Sequence, residues 1–140
     1  MIGPLFAWTY ALPVGSLLVP NAIASVFAPQ RPPADYQRRA GIMQVLRPKT
    51  FLANAQDVAA LNGNLRKQFE RYRDIRVPTV VITGDRDQTV SLDIHARALT
   101  AAIPDARLEI LEGVGHMPHH ARPHRIEAAV AHVQEAARRR

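Results

Sequence analysis

Cysteine is absent from all 140 residues, so disulfides and thiolate metal sites are excluded and a reducing compartment is favoured. Charge is absent from the first thirty: no Asp, Glu, Lys, Arg or His occurs between Met1 and Gln30. Such an opening raises the question of a membrane span. Pro4, Pro13, Pro20 and Pro29 cut it into pieces too short to cross a bilayer as one uninterrupted helix. A secretory signal needs a basic region before its apolar run, and none precedes this one. The expectation is a cytoplasmic protein with no stable membrane span, its first thirty residues forming two or three short buried helices joined at prolines. An apolar surface that leans on a partner, a lipid or a substrate is the alternative.

What is present is ordinary for a soluble globular chain, with 47% hydrophobic and 21% charged residues. The net charge of +6 invites a nucleic-acid reading, but the bases are scattered with acids between them, as in "RKQFERYRDIR". Only Arg138-Arg139-Arg140 forms a run. Solvated helix faces and a basic tail are the better reading, with no nucleic-acid partner.

Composition shifts at Arg31. Pro32 and Pro33 enforce extended backbone, and the pattern from there to Arg76 is helical. A first helix is expected around Tyr36 to Leu46. After Pro48 a second is expected, with Phe51, Ala55, Val58, Leu61, Leu65, Phe69 and Tyr72 at three- and four-residue steps and Gly63 as a weak point or break. The period then changes. "VPTVVITG", Val77 to Gly84, is a β-branched run too short for a helix and reads as a fully buried strand. "SLDIHARALTAAI" follows as a helix capped by Ser91, with Ile94, Ala98, Leu99 and Ala102 as its apolar stripe. "ARLEILEG" alternates as a second strand, and a last helix starts near Pro123 with Ile126, Ala129, Val130 and Val133 on one face. Strand, helix, strand, helix implies an α/β fold with parallel strands.

In such sheets the loops leaving the carboxyl ends of the strands hold ligands. Two loops are therefore singled out. Asp87 lies three residues beyond Gly84, and His116 follows the Gly113-x-Gly115 turn. If the strands are neighbours, the Asp87 carboxylate can bond one ring nitrogen of His116, fix its tautomer and leave the other nitrogen as a general base. Each half alone is weak, since Asp and Gly after a strand are routine turn formers. Together, at the ends of successive strands, they are moderately specific.

"PTVVITGDRDQTV" followed 29 residues after Asp87 by "GVGHMPH" resembles the C-terminal end of an α/β-hydrolase. The resemblance covers Val77 to the C-terminus. It implies a partial α/β-hydrolase fold, residues 77–140 as the end of the core and residues 1–76 as a helical lid or cap, its apolar N-terminal segment with Phe6, Trp8 and Tyr10 lining the lid over a hydrophobic substrate. It implies Asp87 as triad acid and His116 as triad base, with a Ser (less often Asp) nucleophile upstream of Asp87. That nucleophile is missing. An elbow needs two glycines four apart, and the glycines at 3, 15, 41, 63, 84, 113 and 115 include no such pair. Ser16, Ser25 and Ser91 are the only serines, and none sits in a strand–turn–helix context. The expectation is thus the C-terminal portion of a hydrolase that acts, in complete form, on a small apolar ester-like substrate with no cofactor. This chain alone is expected to be inactive.

His116, His119, His120 and His124 crowd into one stretch, which raises a metal site as a rival. Pro118 and Pro123 argue against a continuous helix through His120 and His124, no thiolate is available, and Glu109 and Glu112 belong to the preceding strand. No metal is expected. His95 and His132 fall within helices. A reading from another class also stands: a non-catalytic basic binding module contacting an anionic partner or a membrane surface, whose affinity would fall with salt.

Overall fold

The computed structural model describes residue 9 and residues 12–140. Phe6, Trp8 and Tyr10, expected to line a lid, lie outside the described residues. Contacts divide the chain into two compact units. One holds the chain up to Ser25 together with Pro32–Lys67, and the other holds Val26–Arg31 together with Gln68–Arg140.

The first unit is helical. Helix α1 (Leu12–Phe27) runs without a break through Pro20, so the expected division at that proline does not occur. Pro13 falls in the first turn, where its missing N–H has no helical partner to lose, and only Pro20 forfeits an interior bond. The helix is also less buried than expected. Val19 is buried, but Leu17 is 78% exposed, and Val14 and Leu18 are exposed with it. Among the described residues, no helix is long and apolar enough to cross a membrane. A Cβ added at Gly15 would lie 2.9 Å from the Leu46 side chain, which shows how closely that residue approaches α1.

The segment expected as one helix from Tyr36 to Leu46 is two pieces. A single turn, α2 (Tyr36–Arg39), is followed by a 3₁₀ turn over Ile42–Leu46. Gly41 separates them at φ 62°, a left-handed conformation that resets the chain direction. Helix α3 (Pro48–Phe69) then runs through Gly63 without interruption. One glycine costs about 1 kcal/mol, too little to break a 22-residue helix. The apolar stripe of α3 is largely uncovered: Val58, Leu61, Leu65 and Phe69 are all exposed. The helical pattern ends at Phe69, short of Arg76, with a 3₁₀ turn at Tyr72–Asp74.

The second unit carries the sheet. Strands β1 (Val80–Gly84) and β2 (Arg107–Leu111) pair in parallel, Val80 opposite Arg107 and Gly84 opposite Leu111. β1 starts three residues later than the sequence suggests, and Val77 is exposed. Nor is β1 buried throughout, because only Thr83 and Gly84 are covered. Among the described residues the sheet has two strands, so each keeps one open edge. On β2 the alternation is imperfect, with Leu111 buried and Ile110 exposed.

Between the strands, Ser91 caps a π-helical turn (Leu92–Arg97), its hydroxyl accepting from the Ile94 amide at 3.3 Å. Helix α4 (Ala98–Ala102) completes it. A π turn holds more residues than an α turn, so the buried face rotates. Ala96 and Ile103 are buried and Ile94 is exposed, contrary to the 3.6-residue stripe. After β2 come the short α5 (Pro118–Ala121) and the C-terminal α6 (Pro123–Arg138), parted at Arg122. Ile126, Ala129 and Val133 are half-buried on α6, and Val130 is exposed. The deepest side chains of the unit are Phe27 and Val114, joined by Leu111, Ile103 and Ala96.

Two consequences for stability follow. An added Cβ at Gly63 meets nothing within 4 Å, so Gly63→Ala is expected to stabilise by about 0.5–1 kcal/mol. Phe27→Ala empties a fully buried position and should cost about 3–5 kcal/mol. Urea denaturation of both variants checks the two signs together.

Candidate functional site

The register of the sheet brings the two strands to a common end, because Gly84 and Leu111 are partners. The loops that follow are then laced together by short polar contacts. The Asp85 amide donates to the Leu111 carbonyl at 3.1 Å and the Arg86 amide to the Val114 carbonyl at 2.9 Å. In return the Gly113 amide donates to Asp85 Oδ1 at 2.7 Å. This approach needs glycine at two places. A Cβ on Gly84 would overlap the Val114 carbonyl, and one on Gly115 would overlap the Ala28 carbonyl. Gly113 has φ 69°, which lets the chain turn back over the strand end.

That packing sets the geometry of two side chains. Asp87 Oδ1 accepts the amides of Thr89 at 2.8 Å and Val90 at 2.9 Å, an Asx-type closure of its own loop. Asp87 Oδ2 lies 2.9 Å from His116 Nδ1. The aspartate side chain is 6% exposed and the imidazole 32%. Burial alone pushes the Asp87 carboxyl up, but the Val90 amide, the His116 ring and the Thr89 amide outweigh it and hold the carboxyl below its usual value. The arrangement is an ionised, fully bonded acid aiming one oxygen at a partly exposed imidazole. Such a pair can orient a ring and stabilise its protonated form.

The other histidines do not join this pair. His119 and His120 stack obliquely at 4.6 Å, and the His120 ring is 5.1 Å from that of Phe27. Burial first, then the neighbouring His120 and His116, lowers the His119 pKa. His124 opens α6, His95 lies in the π turn and His132 lies on α6, all three exposed. Among the described residues, no three His, Asp or Glu side chains converge as metal ligands would.

One residue at this site carried no signal in the sequence. Gln30, at the end of the uncharged segment, donates from Nε2 to the Gly113 carbonyl at 2.7 Å, and its Oε1 accepts the Gly115 amide at 3.0 Å.

Comparison with known proteins decides the family. The Alpha/beta hydrolase family model matches residues 2–129. The chain belongs to the α/β hydrolase family. This α/β hydrolase chain is also 33% identical, over 92 residues, to the polyketide synthase ThaQ of Burkholderia thailandensis. The match covers 65% of this chain and 4% of that synthase. No solved structure matches the chain.

The depressed carboxyl has a consequence for acid stability. A group whose folded pKa lies below its unfolded value of 3.8 contributes stability above that pH and loses it as pH falls through the folded value. Between about pH 5 and pH 2, the melting temperature of the unmodified chain is expected to fall more steeply than that of Asp87→Asn. Parallel curves would remove Asp87 from the acid response. Gly84→Ala should cost at least about 1–3 kcal/mol, because backbone rather than a flexible side chain must yield.

Proposed function

We propose that this chain supplies the acid and the base of a triad hydrolase, Asp87 orienting His116 for attack on an ester-like substrate. The observation that carries the reading is the 2.9 Å contact between the two side chains at the ends of adjacent parallel strands. An ionised carboxylate only accepts, so the Nδ1 of His116 must be the N–H. In the neutral ring, Nε2 then bears the lone pair. It removes the proton from a serine hydroxyl as the oxygen bonds to the substrate carbonyl, and returns that proton to the alkoxide that leaves. Water repeats the cycle on the acyl-enzyme. Asp87 keeps its charge and stabilises the imidazolium between the two transfers.

The nucleophile and the oxyanion donors belong, in this reading, to a polypeptide segment outside these 140 residues. Residues up to 76, apart from the Val26–Arg31 strap that packs with the sheet, act as a lid over a small apolar substrate, a role supported by the exposed Leu17, Leu18, Val58 and Leu61. No cofactor is required and the setting is cytoplasmic. Part of the positive charge that a basic binding module would use is paired within the chain. Arg38 and Arg39 with Asp35, Arg97 with Asp93, Arg125 with Glu109, and Arg139 with Glu135 all lie within 4.0 Å.

The test uses p-nitrophenyl esters of short apolar acids and a polypeptide that joins these residues to a nucleophile elbow. Asp87→Asn should lower kcat about 10⁴-fold by favouring the wrong tautomer, and His116→Ala should lower it at least as far. The 140-residue chain alone should show no hydrolysis that His116→Ala abolishes. Unchanged kcat/KM in His116→Ala would refute the assignment.

A further inference from the structure

The turn that presents His116 has more polar groups than the strand ends satisfy. Gly113 N is taken by Asp85, and the Val114 carbonyl by the Arg86 amide. The Gly113 carbonyl and the Gly115 amide remain, one acceptor and one donor on the same side of the turn. Gln30 meets both with one amide group, its nitrogen on the carbonyl and its oxygen on the N–H. A carboxamide offers a donor and an acceptor in one plane at this separation.

The support under Gln30 is itself fixed. Phe27, three residues earlier, is 1% exposed, and the Ala28 carbonyl sits where a Cβ of residue 115 would be. The strap Val26–Arg31 thus fills the outer side of the turn, from more than eighty residues away in sequence. Gly115 immediately precedes His116, so its peptide plane sets the direction of the imidazole. The Val114–Gly115 peptide is held from both sides, its carbonyl by the Arg86 amide and its N–H by Gln30 Oε1. No side chain on Gly115 can wedge it.

We infer that Gln30 is a positioning residue for His116, holding the Gly113–Gly115 turn so that the ring stays on Asp87. This rests on the reading of His116 as the catalytic base. It does not make Gln30 a catalytic residue, since the amide contacts only the turn.

The experiment is nuclear magnetic resonance on the ¹⁵N-labelled chain, with a thermal melt confirming the fold of each variant. In the unmodified chain the Gly115 amide should be protected from exchange, and the His116 Nδ1 proton should resonate at low field. Gln30→Leu should speed Gly115 exchange at least about 10-fold and broaden or abolish the low-field signal. Gln30→Glu, isosteric, keeps the acceptor for Gly115 but loses the donor to Gly113. It should retain Gly115 protection and shift the low-field signal, and it decides the matter if Gln30→Leu does not fold. In a polypeptide that includes the nucleophile, Gln30→Leu should lower kcat about 10- to 100-fold with KM unchanged. An unprotected Gly115 amide in the unmodified chain, or a folded variant with an unchanged low-field proton, overturns the inference. The spectroscopic readouts do not depend on turnover. If His116→Ala leaves hydrolysis intact while Gln30→Leu still abolishes the signal, the catalytic reading fails and the positioning stands.

Discussion

Where β1 ends, Gly84 leaves empty the space that the Val114 carbonyl occupies. The loop after β2 can therefore fold down onto the end of β1, exchange hydrogen bonds with Asp85 and Arg86, and bury Val114 completely. Fully burying a valine contributes roughly 1.5–3 kcal/mol. The same contact fixes the distance between the two loops, and with it the reach from Asp87 to His116. Any side chain at residue 84 pushes these loops apart before it touches either functional group.

The electrostatics depend on that closeness. Removing Asp87 from water opposes its charge, and three hydrogen bonds restore it. Two of them come from backbone amides of its own loop, so the carboxylate remains oriented whatever the charge of His116. The imidazole is more open, with about a third of its side chain exposed. A buried, ionised acid and an accessible ring form a polarised pair rather than two surface charges, which would be worth little in water.

Much of this arrangement was legible because it is local. "VVITG" declares a strand by β-branching and length and "RLEIL" by alternation, and the glycines after them declare turns, so both strand-end loops could be located from the local pattern. What escaped was either cumulative or distant. Pro20 and Gly63 look like breaks one residue at a time, but each is outweighed over a long helix. Ile94 was assigned to a buried stripe on a 3.6-residue period that the π turn does not keep. Strand burial was overestimated because a strand shows its apolar residues in sequence whether or not a neighbour covers them. Gln30 was invisible for another reason: its partners, Gly113 and Gly115, contribute only backbone atoms, and backbone atoms leave no trace in a residue pattern.

If Asp87 fixes the His116 ring, the ring proton sits on Nδ1 and the lone pair on Nε2. Long-range ¹H–¹⁵N correlation of the neutral histidine ring reads the tautomer directly. His116 in the unmodified chain should show a protonated Nδ1 and an unprotonated Nε2, reverting toward the mixture of a free imidazole in Asp87→Asn. A His116 that carries its proton on Nε2, or whose tautomer is indifferent to Asp87, would show that Asp87 does not set the ring.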